Sequence, residues 1–339
     1  MKNDMESRCE KTNGSFIKKV RQQDINPFEN TDSNKRYYTY DYYLRRKYGC
    51  KCAKITLDAG LTCPNIDGTV SLGGCIYCSG RGSGDFASSP LLPISEQFEI
   101  QKRIISGKWQ DVKYIPYLQA HTNTYAPIQT LRRIYGEVLS LPGTVAFSIA
   151  TRADCISDEC LDLLSETAER IDLTVELGLQ SIYDSTARLI NRGHGYEDFL
   201  RCYSRLREKN DKIGICVHLI DGLPGESPEM MINSAKTVAK LMPEQIKIHL
   251  LYVLSGTPME KMYLDGKYEP MSRELYVDTV VKQLEYIHKD TVIGRLTGDA
   301  PADELVAPIY SQKKLVIMNE IDKELFRRET YQGRLFGNI

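Results

Sequence analysis

The most informative stretch of this sequence runs from Cys63 to Ser79 and reads CPNIDGTVSLGGCIYCS. It follows an apolar run at 53–57 that predicts a strand, and its glycines and turn formers are not typical of a helix. Its cysteines, Cys63, Cys75 and Cys78, are therefore predicted to lie on one loop at the end of a strand. A closed structural zinc site and a complete iron–sulfur cluster each normally take four protein ligands. Three thiols would leave one coordination position for a ligand that is not protein.

The composition indicates a globular protein. Of 339 residues, 42% are hydrophobic and 26% are charged, and a single α/β barrel of this length is ordinary. No apolar run approaches the roughly 20 residues that span a bilayer, and residues 1–23 lack the apolar segment of a secretory signal. We therefore expect a cytoplasmic protein that does not associate with membranes. Without an export signal, its ten cysteines favour reduced thiols, metal ligands or catalytic groups over disulfides.

The net charge of −1 provides no overall attraction to nucleic acid, so any such contact must be local. One candidate is the segment 35–48, KRYYTYDYYLRRKY, with five cations and six tyrosines. Interleaved cations and aromatic rings suit phosphate contacts and base stacking. The same pattern is typical of an amphipathic helix that packs its tyrosines on a core. Both interpretations remain open at this point.

Apolar runs alternate with helical patterns along the chain. They predict strands at 53–58, 113–119, 144–150, 172–178, 213–220 and 246–252, with a weaker one at 291–296. Between them, Ser157 and Ser227 are expected to cap helices, the second with Pro228 at its start. This alternation predicts an α/β fold with a parallel sheet, arranged as a full or partial barrel of six or seven βα units.

The domain organisation follows from the same patterns. We expect a flexible extension over 1–33, a barrel over 34–300 and a helical tail over 301–339 packed on the barrel. Within the tail, the pattern over 311–327 predicts one helical face. That face would carry Leu315, Met318, Ile321 and Leu325.

Polar side chains occur where the predicted strands end. Gln119, His121 and Tyr125 come after the second strand, and Thr151 and Arg152 come after the third. Polar residues also occur at the ends of the fourth, fifth and sixth strands, where Gln180, Asp221 and Tyr252 stand. Since the active groups of such barrels lie at the carboxyl ends of the strands, we expect one site at one mouth.

Cysteine spacing alone leaves the chemistry open. Cys75 and Cys78 form a CxxC, which also occurs in zinc sites and redox motifs. No second CxxC or pair of histidines completes a tetrahedral zinc site, and a redox dithiol would give Cys63 no role. A cluster with one open iron, a zinc site and unrelated thiols are all compatible with the spacing.

Longer motifs resemble a known family. KITLDAGLTCPN at 54–65 and GGCIYC at 73–78 resemble the radical S-adenosylmethionine (SAM) superfamily. More narrowly, they resemble bacterial stand-alone proteins similar to the catalytic subunit of Elongator, in which the same wide spacing of eleven residues separates the first two cysteines. Further motifs match over 35–330, and the resemblance implies a partial (β/α)6-type TIM barrel of the radical SAM type. They are QAHTNTYAP at 119–127, ELGLQS at 176–181, NRGH at 191–194 and LPG at 223–225.

The resemblance implies roles for individual residues. Cys63, Cys75 and Cys78 would hold a [4Fe–4S] cluster whose open iron binds SAM through its amino and carboxylate groups. Gln180 matches the residue at the ribose hydroxyls, and Arg192 matches the arginine that pairs with the SAM carboxylate. The implied cofactor-binding residues are Gln119, Thr151, Glu176, Gln180, Arg192, His218, Leu251 and Tyr252. The catalytic candidates are His121, Tyr125, Arg152 and Arg295.

The remaining cysteines show no spacing of a second cluster, and buried structural cysteine is common. They are Cys9, Cys50, Cys52, Cys155, Cys160, Cys202 and Cys216.

The resemblance also implies a substrate. It indicates a tRNA enzyme that converts the 5-carboxymethylaminomethyl group of wobble (2-thio)uridine to 5-aminomethyl. For such a substrate, we expect a cation near the site, such as Arg152 or Arg295, to hold the carboxylate. Expected partners are tRNA, an electron donor such as flavodoxin or ferredoxin, and a downstream methyltransferase. Two alternatives remain: a radical enzyme acting on a small molecule, and a non-catalytic iron–sulfur or zinc redox protein.

Overall fold

Seven parallel strands follow one another in chain order across one sheet of the computed structural model, which describes residues 26–109 and 111–338. Two shorter strands form a separate antiparallel pair. The strands are β1 (Cys52–Leu57), β2 (Lys113–Leu118), β3 (Ala146–Thr151), β4 (Asp172–Gln180), β5 (Gly214–Asp221), β6 (Gln245–Leu250), β7 (Val253–Leu254), β8 (Val292–Arg295) and β9 (Leu305–Ala307). All seven strands predicted from the sequence are present. The sheet curls into a half-barrel, which confirms the predicted partial barrel.

Helices cover the outer face of this sheet. They are α1 (Tyr40–Tyr48), α2 (Ile94–Ser106), α3 (Ile128–Leu139), α4 (Asp158–Ala168), α5 (Asp184–Leu189), α6 (Tyr196–Lys209), α7 (Pro228–Ala239), α8 (Pro258–Leu264), α9 (Arg273–Tyr286) and α10 (Lys314–Arg327). The predicted caps are confirmed, since the Ser157 hydroxyl accepts from the backbone N–H of Cys160 and Ser227 accepts from that of Met230. Within the described residues, no helix is both long and apolar enough to cross a membrane.

Burial on both faces explains the apolar character of the strands. Ile55 and Leu57 of β1 are fully buried, as are Phe98 of α2 and Tyr135 of α3, which pack against the sheet from outside. Parallel strands covered on both faces read as continuous apolar runs rather than alternating ones. Polar residues inside these strands therefore stand out, and they prove to line the site.

Helix α1 closes the open side of the half-barrel. The backbone carbonyl of Tyr38 accepts a hydrogen bond of 2.8 Å from the backbone N–H of Ile293 on β8, and Thr39 forms a parallel bridge to the same residue. The helix also contacts β1, with Leu44 buried. The segment just before the first strand thus joins the two edges of the sheet.

The structure corrects two expectations at the ends of the chain. The last residues of the predicted flexible extension pack on the barrel, because Phe28 is buried and the Asn30 side chain donates to the Lys289 carbonyl at 3.2 Å. Residues 1–25, with Cys9, lie outside the described residues. Within α10, Ile317 is buried while Leu315 is 78% exposed. Leu315 was wrongly placed on the buried face, since two residues along a helix turn a side chain to the opposite side.

The tail after residue 300 returns to the barrel. Strand β9 pairs with β7, and α10 packs against α9. The division into a barrel over 34–300 and a tail over 301–339 remains our proposal.

Candidate functional site

One cavity of about 1010 Å³ lies inside the curl of the sheet and reaches the carboxyl ends of its strands. It gathers side chains that are far apart in sequence. The predicted site residues that line it are Cys63, Cys75, Cys78, Gln119, His121, Thr151, Arg152, Glu176, Gln180, Arg192, His218, Leu251, Tyr252 and Arg295. Tyr125 does not line it.

The cysteine loop begins after β1 and places its three thiols at this cavity. Gly73 and Gly74 have φ of 81° and 75°, a left-handed conformation that lets the chain turn directly before Cys75. The backbone N–H of Cys78 then donates to the Cys75 carbonyl at 3.0 Å, which closes the CxxC turn. Burial raises the pKa of the Cys78 thiol to about 12, and the neighbouring thiols Cys75 and Cys63 add to the effect. A bound metal would be needed to hold the Cys78 sulfur as a thiolate.

Two asparagines tie this loop to the segment after α5. The fully buried Asn65 amide donates to the Cys75 sulfur at 3.6 Å and to the backbone carbonyl of Asn191. In return, the Asn191 side chain donates to the Gly74 carbonyl at 2.7 Å. Asn65 ends the motif KITLDAGLTCPN and Asn191 begins the motif NRGH, but the sequence predicts no role for either. Their hydrogen bonds place the thiols next to Arg192.

Gln180 and Arg192 converge beside Gly178. A Cβ atom at Gly178 would lie 2.8 Å from Nε2 of Gln180 and 3.0 Å from Nη2 of Arg192, so glycine leaves room for both side chains. Arg192 donates to the Gly178 carbonyl at 2.5 Å. Within the described residues, Oε1 of Gln180 and Nε of Arg192 are buried without a hydrogen-bond partner. An acceptor oxygen and a cationic donor that lie side by side without partners fit a ligand with hydroxyl and carboxylate groups.

Thr151 presents an oxygen to the cavity. The Thr124 hydroxyl donates to the Cys155 carbonyl at 2.6 Å, and it lies 2.5 Å from the Thr151 hydroxyl. Because Thr124 has one proton to give, Thr151 is the donor between the two hydroxyls. Its own lone pairs are then available to an amino group, which suits the methionine end of SAM.

Arg152 is already engaged. Its guanidinium donates to the two carboxylate oxygens of Asp154 at 2.9 and 2.7 Å, and to the backbone carbonyl of Arg192 at 2.8 Å. The side chain is buried, so a new anion would have to displace one of these partners. Arg152 is therefore suited to positioning rather than to binding a substrate carboxylate.

The motif after β2 supports the cysteine loop. The Gln119 side chain donates to the Ser83 carbonyl at 2.8 Å, and the backbone N–H of His121 donates to the Gly82 carbonyl at 2.9 Å. The hydroxyl of Tyr125 instead lies 2.8 Å from that of Thr69, outside the cavity. Tyr125 therefore lies apart from the other catalytic candidates, whereas His121 lines the cavity with them.

Glu176 lies at the centre of a buried charged cluster. Its carboxylate forms ion pairs with Lys54 of β1 and Lys247 of β6, and accepts from Nε2 of His218 at 2.8 Å. Burial alone would raise the pKa of Glu176, but the two lysines hold it well below its usual value. Burial, with Lys247 next, lowers the pKa of His218 to about 4. With both oxygens engaged, Glu176 is suited to orienting cations rather than to contacting SAM.

The opposite wall lies beyond β6. The backbone N–H of Leu251 donates to the Asp221 carbonyl at 2.9 Å, and the Tyr252 ring packs over Gly298, where a Cβ would lie 2.9 Å from it. On β8, Arg295 approaches Asp299 only to 3.9 Å. These apolar and aromatic surfaces suit a planar base, and Arg295 retains donors.

Lys54 and Lys247 are site residues for which the sequence motifs predict no role, although Lys54 begins the motif KITLDAGLTCPN. Each is the only lysine in a mostly apolar strand, in CAKITL and QIKIHL, and that interruption was the available signal. A buried lysine is rare unless it is paired. Their common partner lies 71 residues or more away along the chain, so only the folded sheet shows the cluster.

A mononuclear metal site finds little support. Across 26–109 and 111–338, the His, Cys, Asp and Glu side chains whose ligand atoms all lie within 4.8 Å of one another are Glu176, Cys216 and His218. Two ammonium groups already neutralise that carboxylate and would repel a further cation. Cys160 and Cys202 are buried in the apolar core, which agrees with the expected structural roles.

The basic, tyrosine-rich segment is largely neutralised. Lys35 pairs with Asp322, Arg45 with Asp32 and Asp41, and Lys47 with Asp172. Arg36 is buried, and Arg46 lies 5.6 Å from the ring centre of Tyr42. These contacts favour the amphipathic-helix interpretation over a nucleic-acid patch.

Comparison with known proteins agrees with this geometry. The Radical SAM superfamily matches residues 71–238, and the Radical SAM C-terminal domain matches residues 243–327. The chain is 46% identical over 314 residues to YtqA of Bacillus subtilis (strain 168), covering 93% of this chain and 97% of that protein.

The Elongator-type resemblance is also confirmed. The chain is 32% identical over 200 residues to the tRNA uridine(34) acetyltransferase of Methanocaldococcus infernus, covering 58% of this chain and 36% of that protein. The solved structure of Elp3 from that organism, with an N-terminal deletion, has a TM-score of 0.58 at 20% identity. It covers 85% of this chain and 67% of the Elp3 chain, and shows the fold alone.

The superfamily uses a [4Fe–4S] cluster and SAM. The loop of three cysteines can supply three cluster ligands, and the unpartnered atoms of Gln180 and Arg192 fit the cosubstrate. With matches across both parts of the barrel and a close relative over nearly its whole length, the chain belongs to the radical SAM superfamily.

Proposed function

We propose that this radical SAM enzyme acts on the wobble (2-thio)uridine of tRNA and converts its 5-carboxymethylaminomethyl group to 5-aminomethyl. The observation that carries the proposal is that the cysteine loop, the Gln180–Arg192 pair and several cations open onto one cavity. Kinship with tRNA uridine(34) acetyltransferases supports the choice of nucleoside. A carboxylate-bearing substrate also matches the cations.

The size of the cavity supports the proposal. Sites for one drug-sized ligand typically occupy about 300–1,000 Å³. At about 1010 Å³, this cavity is as large as the largest of them. In the proposal, a nucleoside shares this space with the cosubstrate.

The residues of this chain have distinct parts in the proposed reaction. When bound, the cluster would supply the electron for the reductive cleavage of SAM, and the resulting radical chemistry would remove a hydrogen atom from the methylene group of the carboxymethyl arm. Loss of a proton and return of one electron to the cluster would leave an imine, and its hydrolysis would break the C–N bond, release the arm as glyoxylate and leave the 5-aminomethyl group. Arg192 and Gln180 would hold the carboxylate and ribose of SAM, and Thr151 would accept from its amino group. Leu251 and Tyr252 would pack on its adenine. These contacts would fix the distance between the reactive carbon and the substrate.

The proposal also includes an electron donor, a downstream enzyme and a tRNA contact. An external donor such as flavodoxin or ferredoxin would supply electrons, and a separate methyltransferase would consume the aminomethyl product. Since the cations of segment 35–48 are largely paired or buried, we no longer assign the main tRNA contact to it. Between the two arginines considered for the substrate carboxylate, the weakly paired Arg295 is preferred to Arg152.

The test is anaerobic turnover. The protein is reconstituted with iron and sulfide, reduced with dithionite and given SAM, with tRNA that carries or lacks the carboxymethylaminomethyl group. We expect 5′-deoxyadenosine and 5-aminomethyluridine only with the modified tRNA. Cys78→Ala should abolish both products. Cys50→Ala, at the other end of β1 and outside the cavity, should retain them.

Other outcomes would redirect the proposal. Deoxyadenosine formation that ignores tRNA would contradict the tRNA substrate and favour a small molecule. A full cluster with no deoxyadenosine under any condition would favour the redox-protein alternative.

A further inference from the structure

The interior of the cavity carries an excess of buried positive charge. The side chains of Lys54, Lys247 and Glu176 are 20%, 7% and 0% exposed. One carboxylate thus faces two ammonium groups. Burial lowers the pKa of Lys54 to about 8 against the opposing effect of Glu176, which still leaves the ammonium mostly protonated at neutral pH.

Each ammonium has donors to spare. A lysine ammonium has three N–H donors, and each of these two gives one to Glu176. Their other close neighbour is the Tyr117 ring, whose centre lies 4.1 Å from Nζ of Lys54 and 4.9 Å from Nζ of Lys247. An aromatic face attracts a cation without accepting a conventional hydrogen bond. Two donors on each lysine therefore have no acceptor within the described part of the chain.

The surrounding groups do not balance the excess. Burial lowers the pKa of both His218 and His249, so both rings are neutral at pH 7. Nε2 of His249 has no partner across the described residues. Arg295 adds a further cation to the same cavity. Within the described residues, the acids that line the cavity besides Glu176 are Asp32, Asp41, Asp85 and Asp299. Asp32, Asp41 and Asp299 lie nearer solvent and pair with Arg45, Lys51 and Lys314. The Asp85 carboxylate accepts a hydrogen bond of 2.8 Å from the Ser79 hydroxyl beside the cysteine loop.

A buried cation without a counter-charge is costly, and an anion placed between the two lysines would remove that cost. Lys54 lies three residues before the end of β1, about 10 Å below the carboxyl end of that strand at roughly 3.3 Å per residue. That depth suits the end of an extended substituent on a base that lies near the strand ends.

We propose that Lys54 and Lys247, oriented by Glu176, form an anion subsite, and that these two lysines, rather than Arg295, bind the carboxylate of the substrate arm. The choice of carboxylate rests on the proposed function. A phosphate offers the same chemistry, and so does the carboxylate of SAM, so the test distinguishes these sources.

The test measures binding rather than turnover. Equilibrium dialysis compares 5-carboxymethylaminomethyluridine with 5-aminomethyluridine on the cluster-loaded protein. Charge-assisted hydrogen bonds from two lysines should favour the carboxylate-bearing nucleoside by about ten- to a hundredfold. Lys247→Met and Lys54→Met should each remove most of that preference. Lys261→Met, at an exposed lysine outside the cavity, should leave it unchanged.

Protein stability separates binding from a structural role. Lys247→Met leaves Lys54 and Glu176 as a balanced pair, so the unfolding midpoint of the unliganded protein should not fall. Lys247→Arg keeps the charge and should retain part of the preference. Should Lys247→Met not fold, the more exposed Lys54→Met decides the question.

Several results would overturn the subsite. One is an equal preference for the carboxylate nucleoside in wild type and both Met variants, or no preference in wild type. Another is that the Met variants lose affinity for uridine 5′-monophosphate or for SAM but keep the preference for the carboxylate nucleoside, which would identify a different anion. If the wild type prefers the carboxylate nucleoside but does not convert modified tRNA, the proposed function fails while the subsite stands.

Discussion

Nη1 of Arg152 donates a hydrogen bond of 2.8 Å to the backbone carbonyl of Arg192, 40 residues along the chain. Asp154 holds the rest of the Arg152 guanidinium. Arg192 itself forms no ion pair with any described residue, and its Nε has no partner. An arginine whose charge is satisfied thus positions one whose charge is available, which is the arrangement that an anionic cosubstrate requires.

The first prediction concerns this pair. Lysine at position 152 cannot contact both oxygens of Asp154 and the Arg192 carbonyl together, because it lacks the planar fork of arginine. Arg152→Lys should therefore weaken SAM binding about tenfold, the equivalent of one charge-assisted hydrogen bond. Equilibrium dialysis with SAM measures this. Arg132→Lys, which alters an exposed pair with Glu166, is the control. Unaltered SAM affinity in Arg152→Lys would contradict the positioning role.

The second prediction concerns the cysteine loop. Asn65→Leu removes the amide that donates to the Cys75 sulfur and to the Asn191 carbonyl. The buried carbonyl left without a donor should lower the free energy of unfolding by about 1–3 kcal/mol. The iron content after reconstitution should fall as well, because the loop loses its attachment. Asn233→Leu, at a side chain bonded to the Tyr183 hydroxyl away from the cavity, should keep full iron. Equal iron in both variants would exclude this role for Asn65.

The third prediction is a pH dependence. Burial lowers the pKa of His218 from 6.5 to about 4, so the unfolded chain binds more protons than the folded one between these values. Stability therefore falls as the pH drops, by about 2 kcal/mol from this group between pH 7 and pH 5. Glu176 adds to this pH dependence only below about pH 4.5. Because its folded pKa is depressed, the stability that it contributes is complete above that pH and is lost as the pH falls further.

His218→Gln tests this directly, since glutamine can still donate to Glu176 but does not titrate. Urea unfolding of the cluster-free protein at pH 5, 6 and 7 should show a shallower loss of stability in the variant. If the free energy of unfolding falls equally with pH in the variant and the wild type, His218 is not the source of this pH dependence.

The fourth prediction concerns helix α1. Changing Arg45, Arg46 and Lys47 together to Ala should leave the salt dependence of tRNA binding almost unchanged, because Arg45 and Lys47 already pair with Asp32, Asp41 and Asp172. Exposed pairs of this kind contribute about 0–1 kcal/mol each to stability, so the variant should fold. A fall in the slope of log K against log salt by roughly 0.9 per lost phosphate contact would return tRNA binding to this helix.

Much of this architecture could be predicted from local patterns. The apolar runs matched all seven strands of the sheet, because a strand buried on both faces needs a nearly uninterrupted apolar sequence. The caps at Ser157 and Ser227 were equally local. Leu315 failed because its exposure depends on which face of α10 meets the barrel, and sequence periodicity left that choice open.

For the site, the sequence by itself determined the three-cysteine loop and the polar residues at the strand ends, because those signals lie in short contiguous motifs. The tertiary structure alone decided how their charges are used. It showed Arg152 engaged by Asp154, Tyr125 outside the cavity, and Lys54 and Lys247 joined on Glu176. The physical reason is that an ion pair depends on distance in space, and parallel strands bring together residues that the chain keeps far apart.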